Sequence, residues 1–214
     1  MTLDTIYRMA LKEHDMETVG ALVESHARRG GFSYGPVYHG SVSEGGFTVF
    51  DEKHGSGTAP HLRGFFFSGS KTVAEAYALG SGNVRAFYLK MKNPLRVDTR
   101  ETKLTLFELQ QEAGKHFAGL PSFFQGQPQN ADGLIVLGVE RGGDPLTRAE
   151  YTVLSPTQIK SAAPVVYDGQ GLVIPLDKRF ADTPDIRGDV DCNTNCLSGR
   201  STGVIKMKDR GLSK

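Results

Sequence analysis

Residues 64–79 read GFFFSGSKTVAEAYAL, and this stretch predicts a strand, a turn and a helix in that order. The aromatic run Phe65–Phe67 is typical of a short buried strand. A serine cap and a terminating glycine bound a predicted helix over Lys71–Leu79. Such a unit can bring the rings of Phe66 and Tyr77 over one pocket, where they would hold a flat heterocycle between them. Packing of both rings in the core is the alternative.

Short strands and glycine-rich turns continue on both sides of this unit. Runs of β-prone residues occur at Val37–His39, Phe65–Phe67, Arg85–Met91, Leu134–Leu137, Tyr151–Leu154 and Val165–Tyr167. Residues 3–29 carry apolar side chains at helical spacing, and Asp15 can cap a second helix that ends at Gly30-Gly31. A further helix is predicted over Lys103–Ala113 and a loop over Pro121–Gln129. Strands separated by a few helices, without a regular βαβ rhythm, favour an α+β fold.

The pattern divides the chain into three parts. Residues 1–36 form an N-terminal helical segment, residues 37–180 form the core, and residues 181–214 are polar and lack apolar periodicity, which predicts a disordered tail or linker. Both cysteines, Cys192 and Cys196, lie in this tail, and no histidine lies near them. This pattern favours a local disulfide or two free thiols over a zinc site.

Composition excludes several classes of partner. The 214 residues include 25 basic and 24 acidic side chains, for a net charge of +1, so no overall field attracts nucleic acid or an anionic membrane. A local basic patch stays open. No apolar run approaches the ~20 residues that cross a bilayer, and the N-terminus does not resemble a signal peptide. We therefore expect a cytoplasmic protein, or one that is delivered into a target cell.

Common catalytic signatures are absent from the sequence. It contains neither the P-loop pattern nor a Gly-x-Gly-x-x-Gly turn after a strand. It contains no Gly-x-Ser-x-Gly elbow and no histidine pair at zinc-protease spacing. The usual hydrolase and nucleotide-binding functions lose support, and no metal site is predicted.

Two other residues have side chains suited to chemistry on a sugar. His39 precedes Gly40 at a predicted strand end, where an imidazole can hold a ligand hydroxyl and a glycine lets a ligand approach the backbone. Glu150 begins the strand Tyr151–Leu154 and shares one face with Thr152. A carboxylate there can stabilise a developing oxocarbenium ion. A hydrogen-bonded structural histidine and an exposed strand-edge glutamate are the alternatives.

In their joint order these motifs resemble the ADP-ribosyltransferase superfamily, in the diphtheria-toxin and poly(ADP-ribose) polymerase branch that carries a His–Tyr–Glu signature. The stretches that carry this resemblance are His39-Gly40-Ser41, Gly64–Ser68 with Tyr77, and Ala149–Ile159. Further stretches resemble the ADP-ribosyltransferase domains of phage and mobile-element polyvalent proteins: Phe87–Leu95, Asp132–Val136, Gln158–Ser161 and Ile174–Phe180. The resemblance covers roughly residues 3–187 and suggests a phage, mobile-element or bacterial effector origin.

This resemblance implies a split β-sandwich with a cleft for NAD as substrate. Glu150, His39 and Tyr77 would be the catalytic residues, with Glu150 bonded to the nicotinamide ribose. His39 would hold a ribose, the Gly40 backbone the carboxamide, and Phe66 and Tyr77 would stack on nicotinamide. The implied NAD-binding set is His39, Gly40, Ser41, Phe66, Ser68 and Tyr77.

Two positions depart from the family pattern. Phe66 stands where many relatives have tyrosine, which keeps the stacking and loses a hydroxyl contact. Ala74 stands where the polymerase branch has a serine that helps to hold the carboxamide.

The resemblance implies an NAD-dependent mono-ADP-ribosyltransferase that acts on a macromolecular target, with a protein favoured over nucleic acid. An NAD glycohydrolase would use the same residues, and an inactive interaction module would keep only the fold. The sequence indicates neither the target nor the oligomeric state.

Overall fold

The computed structural model describes residues 1–42, 46–51, 64–80, 82–98, 131–138 and 149–190. The helix predicted over Lys103–Ala113, the loop predicted over Pro121–Gln129 and both cysteines lie outside these residues.

Two helices begin the chain, as the spacing predicts. Helix α1 spans Leu3–Glu13, and helix α2 spans Met16–Arg29. Asp15 caps α2, because its carboxylate accepts a 3.0 Å hydrogen bond from the Thr18 amide. The helices bury their apolar stripes against each other and against a cluster that contains Phe32, Tyr88, Leu176 and Phe180.

Within the described residues, seven strands form one mixed sheet, and the α+β class is confirmed. The strands are β1 Tyr34–Gly40, β2 Phe65–Ser68, β3 Val84–Leu89, β4 Pro94–Asp98, β5 Gly133–Leu137, β6 Glu150–Val153 and β7 Ile159–Ser161. Their order is β4-β5-β6-β2-β1-β3-β7. Strands β4 and β5 are parallel, and every other neighbouring pair is antiparallel. A third helix, α3 (Lys71–Tyr77), follows β2.

The pairing between the neighbouring strands β1 and β2 is nearly interrupted, and we call this place the gap. Strands β1 and β2 form a single ladder pair, between Tyr38 and Ser68, whereas β2 pairs with β6 along its whole length. On one side of this gap lie β1, β3 and β7, and on the other lie β2, β6, β5 and β4. Other contacts must therefore hold the two halves together.

Strand alternation gives the sheet two distinct faces. The face that carries Phe87 and Phe67 is covered by the main apolar cluster. That cluster contains Val37, Phe50, Phe65, Phe67, Phe87, Leu89, Met91, Ile135, Val153, Ile159 and Ile186. We call it the Phe87 face. The opposite face, which we call the Glu150 face, carries Glu150 and, toward the other end of the sheet, Tyr88 beneath α1 and α2.

Two strands escape the sequence prediction, and one predicted strand does not form. Strands β4 and β7 are short and were not predicted. Val165–Tyr167 makes only an isolated bridge, from Tyr167 to Val173. The ladder ends before it, because the buried Arg179 guanidinium takes the carbonyls of Ser161, Ala163 and Pro164.

The prediction of a disordered tail from residue 181 is wrong for residues 181–190. Ile186 is 1% exposed and packs in the main cluster. Its carbonyl accepts a 2.8 Å bond from the Ser161 amide, and its own amide donates to Thr48 at 2.8 Å. One buried isoleucine and backbone hydrogen bonds fix this polar segment, and such an anchor leaves no periodic pattern in the sequence.

Lys160 reinforces the same segment from beneath. Its side chain is fully buried, and its ammonium donates to the Thr183 carbonyl, the Thr183 hydroxyl and the Asp185 carbonyl. Three donors thus meet three acceptors. Burial lowers the pKa of Lys160 to about 8.

The Gln158 carboxamide joins the two halves of the sheet. Its oxygen accepts from the amides of Leu154 and Ser155, both at 2.9 Å. Its nitrogen donates to the Lys90 carbonyl at 2.9 Å and the Asp132 carbonyl at 2.7 Å. One side chain therefore ties the end of β6 to the end of β3 and the start of β5, on both sides of the gap.

Replacing Gln158 by alanine is expected to lower the free energy of unfolding by about 2–4 kcal/mol, because four partly buried backbone groups lose their partner. Urea unfolding measures this loss. Gln170 is exposed, and Gln170→Ala is the matched control, with an expected change within about 0.5 kcal/mol. An equal loss of unfolding free energy in both variants would show that Gln158 does not connect the two halves of the sheet.

Candidate active site beside the central gap

Two predicted site residues, Ser68 and Glu150, lie in a row across the sheet with Tyr38, the neighbour of His39. Tyr38 pairs with Ser68, and Ser68 pairs with Glu150 on the next strand. Cross-strand partners point to the same face, with Cβ atoms roughly 5 Å apart. Ser68 is buried and Glu150 is partly buried. A carboxylate and a hydroxyl thus lie side by side on the Glu150 face.

Phe66 belongs to the same face of the sheet. It lies two residues before Ser68 on β2 and pairs with Thr152, which lies two residues after Glu150. The Phe66 ring is partly buried, whereas its neighbours Phe65 and Phe67 are buried in the main cluster. Of the three phenylalanines, Phe66 is therefore the one that the Glu150 face can offer to a ligand.

Helix α3 packs on this face because residue 40 is glycine. A Cβ atom at Gly40 would overlap the carbonyl oxygen of Ala74. Gly40 follows His39, so this missing Cβ points to the Glu150 face. Tyr77, one turn after Ala74, ends the helix and is 56% exposed. The predicted strand-turn-helix is present, and the helix ends two residues earlier than predicted.

His39 lies in the gap between β1 and β2. Its Nδ1 is 2.8 Å from the carbonyl oxygen of Phe66, a β2 backbone group that β1 does not pair. A carbonyl only accepts, so Nδ1 carries the proton and Nε2 is the acceptor of the neutral ring. Burial lowers the pKa of His39, and the nearby Arg85 lowers it further.

Aromatic rings surround the His39 imidazole on the Phe87 face. The ring centroids of Phe50, Phe67, Phe47 and Phe87 lie 5.1, 5.5, 6.2 and 6.5 Å from that of His39. His39 and Glu150 therefore do not share a face: strand alternation directs Glu150 to one side of the sheet and His39 to the other, through the gap.

Phe47 and Phe50 reach His39 because the segment 46–51 is held in place from the C-terminal side. Val49 forms a bridge with Asp185, and the Thr48 carbonyl accepts from Ile186. Neither phenylalanine belongs to the predicted site. The signal that the sequence offers for them is their three-residue spacing within a glycine-rich segment.

Arg85 is a further residue at this place that the sequence motifs do not indicate. It pairs directly with His39 across β1 and β3. Its guanidinium lies 5.0 Å from the Phe47 ring centroid and 5.5 Å from that of Phe87, and Nη1 donates to the Phe47 carbonyl at 2.8 Å. Ser41 directly follows β1, and its amide donates to the Asn83 carbonyl, just before β3, at 3.0 Å.

No cluster of three or more potential metal ligands occurs among the described residues. In the same part of the chain, no helix has both the length and the apolar character that crossing a membrane requires.

Comparison with known families gives one match. Residues 34–165 match the family described as "ADP-Ribosyltransferase in polyvalent proteins". The match begins at β1, ends after β7, and contains His39, Tyr77 and Glu150. Searches of curated proteins and of solved structures found no match.

Replacing Gly40 by alanine is expected to displace α3 and to lower the free energy of unfolding by about 1–3 kcal/mol, the usual range for overpacking. Chemical denaturation measures the loss. A Cβ atom added at Gly20 in α2 would meet no other atom within 4 Å, so Gly20→Ala should be neutral or stabilising. A neutral Gly40→Ala variant would contradict the close contact with Ala74.

The lowered pKa of His39 makes stability depend on pH. Unfolded His39 takes up a proton as the pH falls through about 6.5, while the folded state resists it, so the His39 contribution is complete above that pH and is lost below it. Unfolding curves between pH 5 and 7.5 should show a steeper loss for the wild type than for His39→Asn. Burial also lowers the pKa of His26, and His26 contributes the same pH dependence of stability to both proteins. Identical slopes would contradict the assignment.

Proposed function

Because the chain belongs to the family of ADP-ribosyltransferase domains in polyvalent proteins, we propose that it is an NAD-dependent mono-ADP-ribosyltransferase that modifies a macromolecule and releases nicotinamide. The observation that carries this proposal is the row of Ser68 and Glu150 beside Phe66, on the face that Gly40 opens to α3 and Tyr77.

Binding of nicotinamide would use the aromatic side chains of this face. Tyr77 is largely exposed at the end of α3, and Phe66 is partly buried on β2. Rings on a strand and on the following helix can stack on a flat heterocycle from two sides. The Gly40 backbone would bind the carboxamide at the end of β1, because the Ala74 carbonyl already fills the space that a side chain of residue 40 would take.

Glu150 would act on the ribose. Cleavage breaks the bond between C1′ of the ribose and the nicotinamide nitrogen, and the electron pair leaves with neutral nicotinamide. Positive charge then develops on the ribose ring, where a nearby carboxylate stabilises it. A nucleophile of the target forms the new bond to C1′ and gives up its proton. Ser68, directly opposite Glu150, is suited to orient the carboxylate or a ribose hydroxyl.

His39 would act from the gap between the strands. Its Nδ1–H is committed to the Phe66 carbonyl, so Nε2 is the atom that can accept a bond from a ribose hydroxyl. The hydrogen bond also fixes the ring and links ribose binding to the position of Phe66. The target is proposed to be a protein, because the net charge of +1 provides no general surface for polyanions.

The test is incubation of the pure protein with labelled NAD, with and without a bacterial lysate, followed by measurement of free nicotinamide and of ADP-ribose on macromolecules. Transfer of label would support the proposal. Nicotinamide release without transfer would favour an NAD glycohydrolase, in which water is the acceptor. No turnover, together with no thermal shift on adding NAD, would favour an inactive interaction module.

Glu150→Gln should lower kcat by about 100-fold or more with a small change in KM, because the carboxylate acts on charge that develops in the transition state. Steady-state nicotinamide release measures both constants. Glu24→Gln is the control, since Glu24 pairs with Arg28 on the surface of α2. An effect of Glu150→Gln on KM alone would disprove the catalytic assignment.

Tyr77→Ala should mainly raise the KM for NAD, because stacking of a base on an aromatic ring contributes about 1–3 kcal/mol. Tyr77→Phe keeps the ring and should stay close to the wild type. Tyr167, 53% exposed in the isolated bridge to Val173, gives the control Tyr167→Ala. Unchanged KM in Tyr77→Ala would remove the stacking role.

A further inference from the structure

Arg85 is a partly buried cation without a carboxylate partner among the described residues. Burial lowers the pKa of its guanidinium, and no acidic group of the described chain offsets this. Other arginines on the surface differ: Arg8, Arg28 and Arg187 each form an ion pair. A charge that has lost water without gaining a counter-charge is stabilised when an anion binds to it.

Two ring contacts and a hydrogen bond orient the guanidinium. It lies against the Phe47 and Phe87 rings, and among the described residues one hydrogen bond joins Nη1 to the Phe47 carbonyl. A guanidinium has five N–H donors, and this bond uses one of them. The planar fork is thus oriented by the protein, as bidentate recognition of phosphate requires.

Arg85 is also placed beside the proposed ribose-binding residue. His39 is its direct cross-strand partner, so the two Cβ atoms are roughly 5 Å apart and share the Phe87 face. Burial keeps His39 neutral near pH 7, so Arg85 is the cation of this pair. In NAD the pyrophosphate, with two negative charges, lies between the two riboses and is bonded to both.

We propose that Arg85 is an anion-binding residue that contacts the pyrophosphate of NAD and of ADP-ribose beside His39. This inference rests on the proposed function, because it takes the dinucleotide as ligand. The nicotinamide and its ribose would lie on the Glu150 face, and the pyrophosphate would cross the gap toward the face of His39 and Arg85. Phe47 would then set the orientation of the fork.

The experiment is calorimetric titration of the full chain with ADP-ribose, and with adenosine as a ligand without phosphate, at 50 and 300 mM NaCl. Arg85→Met should weaken ADP-ribose binding by about tenfold or more, the loss of one charge-assisted contact, and leave adenosine binding within about twofold. Salt should weaken ADP-ribose binding less in Arg85→Met than in the wild type. Arg85→Lys should lie between the two.

Arg96 provides the matched control. Its guanidinium also lies over a ring, 5.8 Å from the Tyr34 centroid, and bonds to the Tyr34 hydroxyl at 3.0 Å, but it is on β4, away from His39. Arg96→Met should bind ADP-ribose like the wild type.

Three results would overturn the inference, and they are distinguishable. Equal ADP-ribose affinity in Arg85→Met and wild type would show that Arg85 does not bind the pyrophosphate, and it would leave the proposed function unaffected. Equal loss of adenosine and ADP-ribose binding in Arg85→Met shows that Arg85 acts through the fold. Failure of the wild type to bind either NAD or ADP-ribose removes the proposed function together with this inference.

Discussion

The gap between β1 and β2 is the constraint on which the rest of the structure depends. Strands β1 and β2 share a single ladder pair, so side chains make most of the connection between the two halves of the sheet, and the Gln158 carboxamide contributes four hydrogen bonds to it. All four hydrogen bonds of the Gln158 carboxamide go to backbone groups that directly follow β3, directly precede β5 or directly follow β6. The Asp132 carboxylate extends the connection to the amides of Lys92 and Asn93. Buried polar groups are tolerated there because each one has a partner.

The same gap positions the chemistry. At Phe66 the ladder between β1 and β2 has no pair, and His39 donates its Nδ1–H to the Phe66 carbonyl instead. The His39 ring lies at the gap on the Phe87 face, so the two sides of the sheet offer different environments. On one side lie Glu150, Ser68 and the helix that carries Tyr77, and on the other lies a dense aromatic cluster that holds the Arg85 guanidinium. NAD, the substrate proposed above, has a cationic nicotinamide ring at one end and an anionic pyrophosphate at its centre, so a carboxylate on one side and a guanidinium on the other would match its two charges.

Buried cations fix the C-terminal part of the chain. Arg179 donates to three carbonyls, of the last residue of β7 and of the segment after it, and Lys160 donates to three acceptors in residues 183–185. Hydrogen bonds to charged groups are stronger than neutral ones, and removing either cation would leave its acceptors unsatisfied in the interior. The segment they hold carries Ile186 and Asp185, which in turn hold Thr48 and Val49. Residues far apart in sequence thereby keep Phe47 and Phe50 against His39.

Local patterns in the sequence were sufficient to establish the α+β class, both N-terminal helices, the aspartate cap of the second, and the order of His39, Phe66, Tyr77 and Glu150. These features depend on periodicity, caps and short motifs, which are readable within a few residues. Tertiary packing alone established that His39 and Glu150 point to opposite faces, that Gly40 is needed for a helix to approach, and that Arg85 lies beside His39. Local sequence patterns also predicted neither the packing of residues 181–190 nor strand β7. Each of these depends on strand register and on hydrogen bonds between distant segments, and a one-residue change of register would reverse every face.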